Sequence, residues 1–226
     1  VRETPADAMT RKFDLIAFDW DGTLFDSTAL IVRCIQSACR DIGVAVPSDV
    51  DAAYVIGLGL HDALRHVTPD LPPQRIDELG RSYRHHYLAR QHELVLFEGT
   101  LAMLHALKQR QHLLAVATGK NRPGLDHALA QSELHGLFDA TRTADETASK
   151  PHPLMLQELM EQLGVPPLRT LMIGDTTHDL LLARNAGAAS VAVSYGAHAG
   201  AAFGAHDPLF VANSTAELHA WLVAHA

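Results

Sequence analysis

Short, continuous apolar runs alternate along this chain with longer stretches in which apolar residues recur every three or four positions. Leu15-Ile16-Ala17-Phe18, Leu113-Leu114-Ala115-Val116-Ala117 and Leu171-Met172-Ile173 are runs of the first kind. Such runs suit parallel strands covered on both faces. The pattern predicts strands over 13–18, 113–118, 170–174, 190–193 and 209–212, and helices over 100–111, 123–133, 152–163, 177–186 and 215–225. Strands and helices in alternation define a doubly wound α/β class built on a parallel sheet.

One segment breaks this rhythm. Helical patterns occupy 28–42, 49–55, 60–67 and 73–91, with no strand among them and with Pro47, Pro69, Pro72 and Pro73 as punctuation. The plainest reading is an all-helical insertion after the first strand. The chain then divides into an α/β core, 11–27 with 98–226, and a helical cap, 28–97. An insertion at that point sits over the strand ends, where it can close a site like a lid. Residues 196–206, rich in Ala, Gly and His, read as a loop.

Composition narrows the function. The chain has 226 residues, enough for a sizeable core, and a net charge of −8 from 26 acids and 18 bases. That balance disfavours nucleic acid, whose phosphates need clustered Lys and Arg. No apolar run approaches the roughly 18–20 residues needed to span a bilayer. Residues 1–10 have no hydrophobic centre and do not resemble a signal peptide, and Met9 offers an alternative start. Cys34 and Cys39 lie five apart in a predicted helix and read as reduced thiols of a cytoplasmic protein. The 15 histidines are scattered, and none has the spacing of a metal-ligand pair. Lysine is scarce: Lys12, Lys108, Lys120 and Lys150 are the whole set. A monomer or a homodimer is equally compatible with these features.

The candidate chemistry sits where strands end. The first strand runs into Asp19-Trp20-Asp21-Gly22-Thr23, with two carboxylates one residue apart. Like charges that close call for a cation or a proton between them. The second strand ends on Thr118-Gly119, Lys150 stands in Ser149-Lys150-Pro151, and Gly174-Asp175-Thr176-Thr177-His178-Asp179 follows the third. All four stations belong at the carboxyl ends of parallel strands, where open α/β sheets bind ligands. Together they make a phosphoryl-transfer kit. Carboxylates can hold Mg²⁺, a hard cation that prefers oxygen. A lysine, a threonine hydroxyl and glycine-turn N–H groups can hold phosphate oxygens. One aspartate can attack phosphorus, and a neighbouring acid can protonate the leaving oxygen.

Each residue also has an ordinary reading. Thr118 alone is a strand-end or cap threonine, and Lys150 alone a surface lysine before a helix start. Thr176 and Asp179 stand three apart, close to a capping box, so Asp179 reads as both a helix-start stabiliser and a support for a metal. Trp20 points away from the two acids along an extended chain and reads as packed. His178 reads as a neighbour of the site. Gly57 and Gly59 fit a plain helix-breaking turn as well as a backbone that approaches a small ligand.

The ordered set Asp19-x-Asp21-Gly22-Thr23-Leu24-x-Asp26-Ser27, Thr118, Lys150-Pro151 and Gly174-Asp175-x-x-x-Asp179, continuing to Ala186-Gly187, resembles the haloacid-dehalogenase-like hydrolase superfamily. The resemblance spans about residues 13–187 and implies a Rossmann-like core with a helical cap. It further implies that Asp19 is the nucleophile and a Mg²⁺ ligand, and that Asp21 is the acid/base and offers its backbone carbonyl to the metal. By the same resemblance Asp175 is a further ligand, Asp179 steadies the metal site, Thr118 binds the transferring phosphoryl group and Lys150 neutralises charge. Gly22, Thr23 and Gly119 join the phosphate cradle. An acid at position 21 favours phosphate esters over haloacids. The absence of lysine from residues 28–98 argues against the phosphonate-cleaving branch, which uses a cap lysine. Ile56-Gly57-Leu58-Gly59-Leu60 resembles the substrate-facing cap loop of phosphoglycolate phosphatases, with Gly57 and Gly59 facing substrate and Arg65 a candidate for its carboxylate. The expected partner is a small phosphorylated metabolite. A sugar phosphomutase, a pyrophosphatase and a non-catalytic binding protein are the alternatives on the same core.

Overall fold

The computed structural model describes residues 11–226, so the expectations for residues 1–10 lie outside it. Six parallel strands form one sheet in the order β3-β2-β1-β4-β5-β6. They are β1 (Leu15–Phe18), β2 (Leu113–Thr118), β3 (Ala140–Thr143), β4 (Thr170–Gly174), β5 (Ala189–Val193) and β6 (Val211–Ala212). The chain runs outward from β1 to β3, then crosses to the other side of β1 and runs out through β4 to β6. The order therefore reverses between β1 and β4, which is where a doubly wound sheet opens a crevice at its carboxyl edge.

Alternation along each strand divides the core into two layers. Ile16, Phe18, Leu114, Val116, Leu171 and Ile173 pack on one face with α5 (Thr100–Gln109), α6 (Arg122–Ala130) and α9 (Thr215–His225). Leu15, Ala17, Ala115, Ala117 and Met172 pack on the other with α7 (Leu154–Leu163) and α8 (Thr177–Asn185). Trp20 is buried in the first layer, stacked on Phe25 at 4.8 Å, as its packing reading required.

Between β1 and α5 lie α1 (Thr28–Asp41), α2 (Asp49–Tyr54), α3 (Leu60–Val67) and α4 (Pro73–Arg90). These helices build an apolar cluster of their own around Ile35, Ala38, Ala52, Leu64, Ile76 and Leu79. Among the described residues no helix is long and apolar enough to cross a membrane, and Cys34 and Cys39 are free and buried.

One strand escapes the hydrophobic pattern. β3 reads Ala-Thr-Arg-Thr, sits at the sheet edge and pairs only with β2. A short polar edge strand buries too little to leave a run in the sequence.

His112, at the entry to β2, is buried and donates from Nδ1 to the Phe13 carbonyl at 3.0 Å, while Nε2 has no partner. Burial pushes its pKa below the usual histidine value, against the Phe13 bond, which raises it. The unfolded chain then binds more protons than the folded one, so this contribution is present above about pH 6.5 and is lost as pH falls from there through the lower folded-state pKa. In denaturant unfolding at a series of pH values, the loss of stability between pH 8 and pH 5 should be smaller in His112→Gln than in the parent. Equal losses would show that His112 does not carry it.

Candidate active site

Asp19 follows β1 directly, and its N–H is held by the Ile173 carbonyl of β4, so the reversal point itself places the residue. Asp175 follows β4, and Asp179 lies in the first turn of α8. One carboxylate oxygen from each of Asp19, Asp175 and Asp179 lies within 4.8 Å of the others, and all three side chains are buried. Lys150 reaches this cluster, with Nζ 2.7 Å from Asp19 Oδ1 and 2.6 Å from Asp179 Oδ1.

The remaining atoms are oriented with little slack. Thr176 and Asp179 form the capping box at the start of α8, and Asp179 Oδ2 accepts from the Thr176 N–H at 3.1 Å and its hydroxyl at 2.6 Å. Asp179 thus caps α8 with Oδ2 and holds Lys150 with Oδ1. Asp175 Oδ1 accepts from the Thr23 hydroxyl at 2.9 Å, and its Oδ2 from the Ala197 N–H at 2.7 Å. The Thr23 hydroxyl therefore orients Asp175 in this structure. Gly22 has a similar role: at φ +79°, an added Cβ would stand 2.1 Å from Asp175 Oδ2. Only a glycine leaves room there for the carboxylate.

Electrostatics points to a cation. Burial raises the Asp19 pKa well above the carboxylate range; Lys150 opposes the shift, and Asp179 and Asp175 add to it. Asp175 is pushed up to about 7 by burial and by Asp179, against its hydrogen bonds from Ala197 and Thr23. Burial pulls the Lys150 ammonium pKa down, but Asp179 and Asp19 outweigh burial and raise it overall. Three crowded carboxylates and one ammonium leave an excess of negative charge in a dry site. Asp19 Oδ2 and Asp21 Oδ1 are buried and lack hydrogen-bond partners. An all-oxygen donor set of this kind fits a hard divalent cation such as Mg²⁺.

Asp21 lies outside the three-carboxylate group. Its Oδ2 is 3.0 Å from Lys120 Nζ, which also donates to the Tyr87 hydroxyl at 2.7 Å and lies over the Tyr87 ring at 4.8 Å. The Asp21 side chain is thus paired with Lys120, and the metal contact expected of this residue is through its backbone carbonyl. Burial lowers the Lys120 pKa, and Asp21 and Tyr87 more than restore it. Lys120 is a residue of the site that motif reasoning passed over. Its signal was scarcity, a lone lysine two residues past Thr118.

Asp19, Asp21, Thr118, Gly119 and Lys120 line one cavity of about 820 Å³, with the loop 55–60 as part of its roof. Several contacts hold that loop down. Gly59 N–H donates to Ser149 Oγ at 2.8 Å, and a Cβ on Gly119 would stand 2.3 Å from the Leu58 carbonyl oxygen. Gly57 lies over the acids, a notional Cβ falling 3.9 Å from Asp19 Oδ2. Gly57, Gly59 and Gly119 therefore meet at one junction between the helical segment and the sheet. His178 Nε2 and His198 Nε2 both reach the Tyr54 carbonyl, at 2.8 and 2.9 Å. The Thr177 N–H donates to His198 Nδ1 at 3.1 Å, which fixes the His198 proton on Nε2. Burial holds both histidines below the usual range. Arg65 does not line the cavity, whereas Arg84 does.

With this geometry in hand, relatives can be compared. The family model described as haloacid dehalogenase-like hydrolase matches residues 16–193. The chain is 34% identical over 210 residues to a Dickeya dadantii protein named "Probable phosphatase IndB", covering 90% of this chain and 91% of that one. It is 31% identical over 218 residues to a phosphoglycolate phosphatase of Vibrio vulnificus, with 92% and 95% covered. The crystal structure of a haloacid dehalogenase-like hydrolase from Bacteroides fragilis superposes with a TM-score of 0.85 at 25% identity, over 92% of this chain and all of that one. This chain belongs to the haloacid dehalogenase-like hydrolases. It is an enzyme of the phosphatase kind within that family.

Gly22→Ala should displace the Asp175 carboxylate and force a strained backbone, at a cost of about 1–3 kcal/mol in unfolding free energy. Denaturant titration of the two proteins measures this, and unchanged stability would mean that the Asp175 packing is looser than described.

Proposed function

We propose that the protein is a Mg²⁺-dependent phosphomonoesterase that releases phosphate from a small phosphorylated metabolite through an aspartyl-phosphate, with α1–α4 acting as a cap. The observation that carries this reading is the cavity floor. Asp19 and Asp21 reach it from one loop, each with an uncommitted buried oxygen, beside Thr118. Phosphoglycolate, named for one relative, is among the smallest esters of this class, and another relative, from Bacillus mycoides, is named a pyrophosphatase.

Asp19, Asp175 and Asp179 would hold the metal, with the Asp21 backbone carbonyl as a further donor. Bound Mg²⁺ would supply positive charge to the phosphoryl oxygens and offset the carboxylate excess. The Asp19 carboxylate attacks phosphorus in line, the ester P–O bond breaks, and Asp21 gives its proton to the departing alkoxide. In the second step Asp21 takes a proton from water, which attacks the acyl-phosphate and frees Asp19. Lys150 and Thr118 bind the phosphoryl oxygens as charge develops, and fixed donors contribute most in such a dry site. The roof loop excludes stray water during the first step. Lys120 acts as a positioning residue: it aims Asp21 and ties the acid to Tyr87 of α4.

Phosphate release from a panel of esters, with and without Mg²⁺, tests the reading. Asp19→Asn should lower kcat by on the order of 10⁴ or more while circular dichroism remains that of the parent. Retained turnover in a clean preparation would refute the assignment. Lys120→Met should lower kcat by about 10²-fold, typical of a lost acid/base function, with a smaller change in KM, and Lys120→Arg should restore part of it. A change confined to KM would remove Lys120 from the alignment of Asp21.

A further inference from the structure

The cavity carries a second message, in its size and in the chemistry of its outer wall. A volume of about 820 Å³ lies in the range of pockets that take drug-sized ligands, roughly 300–1,000 Å³. A two-carbon phosphate ester would leave most of it filled with water. The wall contributed by the helical segment is largely apolar: Ile31 and Ile35 from α1, Val55 and Ile56 from the roof loop, and Tyr83 and Leu88 from α4. Leu88 is 60% exposed and stands among the lining residues, an apolar side chain that lacks cover.

Charge points the same way. A second anionic group on the substrate needs an available cation, and both lysines of the site are taken. Lys150 is held by Asp19 and Asp179, and Lys120 by Asp21 and the Tyr87 hydroxyl. Arg84, His61 and His127 also line the cavity, but all three are exposed, and Arg84 and His61 border a separate small cavity of about 70 Å³, which places them at the margin. The interior beyond the acids is therefore suited to hydrocarbon more than to a carboxylate or a second phosphate.

We propose that the alcohol portion of the substrate carries an apolar, ring-sized body that seats against the Ile31–Ile35–Leu88 wall while its phosphate meets Asp19. The proposal rests on the phosphatase reading and specifies the substrate class for it. Burying such a body removes apolar surface of both ligand and wall from water, and the gain appears in kcat/KM.

Ethyl phosphate and 2-phenylethyl phosphate test this directly. Both release a primary alkoxide, so the chemistry is matched and only the body differs. With Mg²⁺, kcat/KM should be about tenfold or more higher for 2-phenylethyl phosphate, mainly through KM. Leu88→Asp should pull that ratio toward one. Ethylphosphonate and 2-phenylethylphosphonate, which the enzyme cannot hydrolyse, should show the same preference as binding affinities by calorimetry. Equal kcat/KM for the two esters, or faster turnover of phosphoglycolate than of 2-phenylethyl phosphate, would overturn the proposal and leave the phosphatase reading standing. Failure to release phosphate from any ester would overturn both.

Discussion

The rest of the site depends on the buried ammonium of Lys150 between Asp19 and Asp179. Three carboxylates gathered at the end of a dry sheet repel one another, and each has given up its hydration. Lys150 is the resident counter-charge, with both ion pairs shorter than 3 Å and its side chain fully buried. Removing one partner of such a pair leaves a bare buried charge, typically at a cost of about 3–5 kcal/mol. The surrounding detail follows from this crowding. Thr176 occupies the second oxygen of Asp179, Thr23 and Ala197 occupy both oxygens of Asp175, and Gly22 vacates the space that Asp175 fills. Asp19 keeps Oδ2 buried and without a hydrogen-bond partner.

A second constraint works from above. The end of α2 and the loop after it meet the core at Ser149, Gly119, His178 and His198. Ser149 receives the Gly59 N–H, Gly119 leaves room for the Leu58 carbonyl, and His178 and His198 meet on the Tyr54 carbonyl. These contacts are few, specific and mostly to backbone. The apolar cluster inside α1–α4 is separate from the two core layers, so the helices can keep their own packing while that junction changes. Lys120 links the two parts chemically, because it touches Asp21 on one side and Tyr87 on the other.

Much of this was legible along the chain. The strands at 113–118 and 170–174 and the run ending at Phe18 announced themselves as continuous apolar segments, because central parallel strands are covered on both faces. The acids at 19, 21, 175 and 179 stood at the ends of those strands, and their order and spacing carried the family resemblance. β3 stayed hidden because an edge strand of Ala-Thr-Arg-Thr has little to bury. Thr23 was read as part of a phosphate cradle, since a hydroxyl in a loop does not declare which partner it will choose. Arg65 was named as a candidate and Arg84 was not, because helical position alone does not say which face turns toward a cavity.

The sequence alone determined the class of fold and singled out the candidate groups at the strand ends. Both depend on local pattern: apolar period, strand-end acids and short motif spacing. Tertiary structure decided how those groups share their bonds. Asp21 is paired with Lys120 and lies outside the Asp19–Asp175–Asp179 cluster, Lys150 bridges two acids that stand 160 residues apart in the chain (19 and 179), and an apolar wall lines the same cavity as Asp19 and Asp21. Contacts of that range are settled by packing and by competition for each buried lone pair, and a linear pattern records neither.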